Sequence, residues 1–305
     1  MAASLSEAVR FQGLPCVRMC LPNGDSALVS LHGAHVLSWV SSGRERLYLS
    51  PRSVFDGQAA IRGGIPVCFP QFNQRGPHAG LPKHGFARNL AWESVPVVHP
   101  QPGDEAAASA TGSAGLSDST GTEQSFRLTS GPATQRWWPQ TFEATLTMAL
   151  SPGCLQVTLA VRNTDDRPLA FTGALHTYLV ADAMQTARLH GLGGQAEWDA
   201  LTDIHAQATD PLRFEGEFDR VYAAAVPQSL TLRDAAGDLH ITQSPGWAQT
   251  VVWNPGPHNA KALADMPDDA HQHMLCVEAA QVFASITVES GGTWQGWQRL
   301  SLNQP

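Results

Sequence analysis

From Ser26 to Val40 the chain alternates apolar residues with small or polar ones, the period-two signature of a strand buried on one face. Phe142–Leu150 and Leu155–Val161 repeat the pattern on either side of Ser151-Pro152-Gly153, which predicts a hairpin. Ser229–Leu232 and Leu239–Thr242 do the same around Ala235-Ala236-Gly237. Alternation returns from Val282 to Val288 and from Trp294 to Leu302, broken at Gly291-Gly292. No long helical period competes with it. Short, closely spaced strands with glycine and proline turns predict an all-β chain, a large antiparallel β-sandwich with few short helices. One stretch interrupts the pattern. Residues 101–124 are rich in Ala, Ser, Gly and Thr with almost no large apolar side chains. They predict a flexible, low-complexity insertion between two strands, within a single domain spanning 1–305.

Composition narrows the partners. With 305 residues, 43% hydrophobic and 15% charged, the chain has material for a sizeable core. A net charge of −8 argues against nucleic acid or an acidic membrane surface as a partner. Any anion must therefore be held by a local group of cations, which limits it to a small molecule. The five cysteines (Cys16, Cys20, Cys68, Cys154, Cys276) are odd in number and include no Cys-x-x-Cys pair. Reduced thiols follow, and with them a cytoplasmic location. Met1–Arg10 lacks an apolar signal core, and no apolar run reaches the length of a membrane span.

Candidate chemistry concentrates in Arg62–Gln71 and Leu81–Asn89, where Arg62, Lys83, His84 and Arg88 stand among glycines and prolines. Gly63, Gly64 and Gly85 permit unusual backbone, while Pro66, Pro70 and Pro82 stiffen it. Cations on rigid irregular backbone suit a wall that binds an anion or a sugar. Glu278 sits in the otherwise apolar run Met274–Ala280. It is either a desolvated base or an ordinary strand residue facing solvent. His176, taken alone, reads as a hydrogen-bonded structural residue more readily than as an acid. His32-x-x-His35 and His271-x-His273, near Cys276, match no zinc spacing, so no metal is expected. Neither Gly-x-Ser-x-Gly nor Gly-x-Gly-x-x-Gly occurs, which disfavours a serine hydrolase elbow and a dinucleotide fold.

Ala174-Leu-His-Thr-Tyr178, Phe218-Asp-Arg-Val-Tyr222, Val251-Val-Trp-Asn-Pro255 and Met274-Leu-Cys-Val-Glu-Ala-Ala280 follow those two motifs in order, before Trp294-Gln-Gly-Trp297. Together, from about Gly33 to Leu302, they resemble the aldose 1-epimerase superfamily, in particular its glucose-6-phosphate 1-epimerase branch. The resemblance implies a galactose-mutarotase type of sandwich that interconverts α and β anomers without a cofactor. Opening a cyclic hemiacetal needs a base at the anomeric hydroxyl and an acid at the ring oxygen, on opposite sides of the C1–O5 bond. On the family pattern Glu278 is that base and His176 the acid. His84 bonds the sugar near its ring oxygen, Asp219 holds hydroxyls, and Arg62 with Arg88 grips the phosphate.

Lys83 departs from the pattern, where a relative carries glutamine; it is either a third cation at the phosphate or a solvent-facing residue. Other readings stand beside these roles. His84 could simply hold Arg88 or backbone in place, Asp219 could pair with Arg220, and the arginines could pair with structural carboxylates. Two other functions compete, a mutarotase for unphosphorylated aldoses and a sandwich that binds sugar without catalysis. The expected partner is a small sugar phosphate and the expected state a monomer.

Overall fold

The computed structural model describes residues 5–97, 121–226 and 229–302. In chain order the strands begin with β1 (Leu5–Phe11), β2 (Leu14–Cys20), β3 (Ser26–Ser30), β4 (His35–Ser41), β5 (Arg44–Glu45), β6 (Val67–Cys68) and β7 (Glu93–Val95). Then come β8 (Thr122–Thr129), β9 (Phe142–Ser151), β10 (Cys154–Asn163), β11 (Leu169–Leu175), β12 (Tyr178–Val180), β13 (Arg188–His190) and β14 (Ala196–Asp199). The last are β15 (Ile204–Gln207), β16 (Phe218–Ala223), β17 (Leu230–Asp234), β18 (Gly237–Gln243), β19 (Gln249–Asn254), β20 (Met274–Val288) and β21 (Thr293–Ser301). They form three antiparallel sheets. The first runs β1-β2-β3-β4-β5, the second β13-β17-β18-β21-β10-β9-β8-β7, and the third β15-β14-β16-β19-β20-β11-β6, with β12 also on β20. The helices described are short, Pro132–Gln135 and Gly256–Ala262 with two single turns. The all-β sandwich expected from the alternation is therefore what the chain forms. None of these helices is long and apolar enough to cross a membrane.

Both expected hairpins are present, closed by the pairs Ser151↔Cys154 and Asp234↔Gly237. The run Ser26–Val40 differs: it is two strands, β3 and β4, joined by a turn. Gly33 (φ +78) and Ala34 (φ +44) take left-handed backbone there. A side chain at Gly33 would meet the Arg88 carbonyl oxygen at 2.7 Å. Alternation carried on across the turn, so it hid the break. Of the expected insertion 101–124, residues 101–120 lie outside those described, while Thr122, Glu123 and Gln124 begin β8 and pair with Leu150, Ala149 and Met148.

The core lies between the second and third sheets. Leu146, Leu159 and Val161 of one sheet belong to the same apolar cluster as Val252, Leu275 and Val277 of the other. Phe69 meets Trp138, Phe142 and Phe171 edge-on at 5.2–5.6 Å. Burying each such side chain is worth roughly 1.5–3 kcal/mol. The third sheet is apolar on its other face too, where Cys68, Phe72, Ala174, Val221, Val251, Ala280 and Val282 cluster. This explains β20. Leu275, Val277 and Ala279 point into the sandwich while Cys276, Glu278 and Ala280 point the other way, so both faces are covered and the sequence runs apolar without alternation.

Candidate active site

On that second face, strand register sets out rows of side chains. Val221 pairs with Val251, and Val251 with Glu278. In the next row Asp219 pairs with Trp253, Trp253 with Cys276, and Cys276 with Tyr178. His176 follows directly on β11, its backbone N–H donating to the Pro66 oxygen at 3.0 Å. Tyr178 N–H donates to the Gly64 oxygen at 2.9 Å. Gly64 has φ +62, and a Cβ there would lie 2.1 Å from the Val36 oxygen, so this close approach admits only glycine. The strands thus bring distant motifs to one place. A cleft of about 760 Å³ opens over this face, lined by Arg62, Lys83, His84, Arg88, His176, Asp219 and Glu278 among others. All seven residues singled out in the sequence share it, and its size suits a small ligand.

At its floor His176 Nδ1 stands 3.4 Å from Glu278 Oε1. The two groups stand side by side in the cleft. Glu278 is 1% exposed, which removes its solvent-facing alternative, and His176 is 8% exposed. Burial, reinforced by Asp219 and opposed by Arg88, raises the Glu278 carboxyl well above its ordinary range. Burial, with the positive charges of Arg88 and Arg62, holds the His176 imidazolium well below its own. Both shifts favour the neutral forms, a carboxylic acid beside a neutral imidazole. That pair carries as many protons as a carboxylate beside an imidazolium, so the two forms are tautomers of one couple. Tyr178 stacks on the imidazole at 4.7 Å and Trp253 meets it edge-on at 6.3 Å, which fixes the ring plane.

His84 is placed by strained backbone, with φ +64, next to Gly85 at φ +71. Its ring lies 5.5 Å from that of His176. Asn73 N–H donates to His84 Nδ1 at 3.2 Å, and Cys68 Sγ lies 3.4 Å from the same nitrogen. Burial pushes the Cys68 thiol up to about 12, so it remains a donor. Burial and the nearby cations also keep the His84 ring neutral. With Nδ1 accepting, the proton sits on Nε2, and the ring presents a donor. His84 thus bonds the Asn73 backbone, as the plainer role considered from the sequence allowed, while Arg88 bonds the Lys83 carbonyl.

The charged wall differs in part from expectation. Arg62 donates through Nε to Asp265 Oδ2 at 3.2 Å and through a terminal nitrogen to Tyr178 Oη at 3.2 Å. Its charge is neutralised by a structural carboxylate, and it braces the tyrosine beneath His176. Arg88 donates to the Lys83 carbonyl at 3.0 Å, and no carboxylate partners it among the described residues. Lys83 likewise has no ion-pair partner among them, and its charge opposes the rise of Asp219. Asp219 is not paired with its neighbour. Arg220 turns the other way, to Glu197 at 3.1 Å and Asp199 at 3.3 Å, and packs 4.5 Å from the centre of the Phe218 ring. Asp219 is left in the cleft, its carboxyl pushed up to about 6 by burial and the nearby acids.

Asp265 escaped the sequence reading because its partner Arg62 lies 203 residues away, and Asn73 and Cys68 because the loop's folding brings them onto His84. Phe72 and Trp253 line the cleft while Trp39 and Phe69 are core, and Lys261 does not line it. His32 and His35 each bond a backbone carbonyl, those of Ala59 and Gly63. A different metal-capable set exists. His176, Cys276 and Glu278 place donor atoms within 4.8 Å of one another. Burial drives the Cys276 thiol well above its ordinary value, as it does the Glu278 carboxyl, so a cation would have to displace protons from both. The donors fit acid–base work better than ligation.

Residues 15–301 match the family model described as Aldose 1-epimerase. A protein of Cenchrus ciliaris described as "Putative glucose-6-phosphate 1-epimerase" is 35% identical over 285 residues, covering 91% of this chain and 80% of the relative. An Escherichia coli K12 protein of the same description is 33% identical over 266 residues, covering 86% and 81%. Among solved structures, one titled "putative mutarotase" from Salmonella typhimurium superposes with a TM-score of 0.81 at 27% identity, covering 97% of this chain and 93% of that one. The ordered motifs, the shared cleft and these matches over nearly the whole length agree: the chain belongs to the aldose 1-epimerase family.

Proposed function

We propose that the protein interconverts the α and β anomers of glucose 6-phosphate, with Glu278 and His176 moving the two protons and Arg88 with Lys83 holding the phosphate. The observation that carries this reading is the 3.4 Å His176–Glu278 couple at the floor of a cleft rimmed by two cations that have no carboxylate partner among the described residues. O1 and O5 of a pyranose hang from the same carbon, so side-by-side groups reach both. On shortening from its 3.4 Å separation, the Nδ1–Oε1 pair passes the carboxyl proton to His176, giving carboxylate and imidazolium. Glu278 then takes the proton of the anomeric hydroxyl while His176 Nε2 delivers one to the ring oxygen. C1–O5 breaks, and the neutral couple is left beside an open-chain aldehyde. Burial favours the neutral form both before and after the step, so the charged couple is only a transient on the path. Rotation about C1–C2 and reversal of both transfers close the other anomer.

His84 Nε2–H supports the developing charge at the ring oxygen, and Asp219 accepts hydroxyl hydrogens. Arg62 contributes its field and braces Tyr178. The curated relatives' descriptions name the same phosphosugar. Polarimetry of freshly dissolved α-glucose 6-phosphate tests the proposal. We expect relaxation to equilibrium to accelerate in proportion to protein added. Relaxation at the buffer rate for glucose 6-phosphate, with acceleration for glucose alone, would move the substrate to unphosphorylated aldoses.

A further inference from the structure

Glu278 lies on β20 of the third sheet and His176 in the link between its β11 and β12, yet the residues beside them are tied to the other sheet by one amide. Gly296, Gln298 and Leu300 of β21 face the sandwich interior, and Gln298 is 2% exposed. Alternation calls for an apolar side chain at that position, as at Leu300. A buried amide is costly unless both of its ends are bonded. Here they are. Thr177 Oγ1 donates to Gln298 Oε1 at 2.5 Å, and Gln298 Nε2 donates to the Val277 oxygen at 3.0 Å. Val277 N–H donates to the Thr177 oxygen at 3.0 Å and closes the triangle. Thr177 follows His176 in the chain, and Val277 precedes Glu278.

We infer that Gln298 is a positioning residue, whose amide clamps the two backbone segments that carry His176 and Glu278 and so sets the spacing of the proton couple. This rests on the roles proposed above for those two residues. Gln298 does not line the cleft, so it acts through Thr177 and Val277 without touching substrate. An amide is needed because one end must accept from a hydroxyl while the other donates to a carbonyl. Methionine fills a similar volume but bonds neither, leaving both groups unpaired in the interior. The Thr177 and Val277 segments are then free to shift, and proton transfer is steeply sensitive to such displacement.

The test uses the full chain and anomer exchange measured by NMR, normalised to folded protein by circular dichroism. For Gln298→Met we expect kcat to fall roughly 10- to 100-fold, with KM for glucose 6-phosphate within about twofold of the unsubstituted protein. Thr177→Val should lose a similar factor, whereas Thr177→Ser, which keeps the hydroxyl, should restore most of the rate. The double substitution Gln298→Met with Thr177→Val should cost little more than the worse single change. A folded Gln298→Met with undiminished kcat, or one in which only Tm falls, would overturn the positioning role. Should Gln298→Met fail to fold, equal rates for Thr177→Val and Thr177→Ser would overturn it instead. If the unsubstituted protein exchanges no sugar, the functional reading fails separately. The clamp is then read from the 15N shift of His176 Nδ1, which Gln298→Met must change if the clamp exists and leaves unchanged if it does not.

Discussion

Replacing Arg88 by methionine keeps the stem and removes the guanidinium. Arg88 donates one bond, to the Lys83 carbonyl, and has no carboxylate partner among the described residues, so its charge remains available to a ligand. A hydrogen bond to a charged group contributes about 1.5–3 kcal/mol, and about 1.4 kcal/mol is tenfold. Arg88→Met should therefore lower kcat/KM for glucose 6-phosphate by roughly 10- to 150-fold. The guanidinium has a second effect, because it holds the Glu278 carboxyl down and the His176 imidazolium down. Removing it lets both rise, for any sugar. Glucose, which lacks the phosphate, reports that common effect alone. The assay is anomer exchange on both sugars side by side, and the quantity of interest is the ratio of the two losses. Equal losses would refute the phosphate assignment.

Asp219 gives a pH signature. Its carboxyl, pushed up to about 6, must be ionised to accept sugar hydroxyls, so kcat/KM should fall as pH drops through about 6. That limb should vanish in Asp219→Asn, whose rate is lower and flat there. The same raised value makes Asp219 a stability sensor: its protonated form favours the fold below the ordinary value of 3.8, and that contribution is lost as pH rises through about 6. Urea midpoints of the parent and Asp219→Asn across this range should differ in slope, and parallel curves would contradict the assignment. Gly85→Ala would put a Cβ 2.1 Å from the Phe69 oxygen at φ +71. We expect a loss of at least about 1–3 kcal/mol and a weakened site through the adjacent His84, read by thermal melting and by exchange.

Much of the site was legible because its residues sit in compact motifs. Arg62, Lys83, His84 and Arg88 announce themselves by standing on glycine- and proline-bound backbone, and Glu278 by interrupting an apolar run. The strand content was legible from alternation, except where two covered faces erase it, as along Met274–Ala280, or where a turn preserves it, as at Gly33-Ala34. Partnerships across the fold were not legible. Nothing near Arg62 in the chain points to Asp265, 203 residues away. Nor does anything near His84 show that Asn73 and Cys68 fix its tautomer. Asp219-Arg220 looks like an ion pair in one dimension, yet strand geometry turns the neighbours to opposite faces.

The claim on which the rest depends is that the buried carboxyl of Glu278 takes and returns the anomeric proton. Two-dimensional NMR exchange between the α and β signals of glucose 6-phosphate measures this directly, for the parent and for Glu278→Gln. We expect rapid exchange in the parent and a rate lower by roughly 10²–10⁴-fold in the variant, with the phosphosugar still bound. A Glu278→Gln protein that folds, binds and exchanges the anomers at the parent's rate would contradict it.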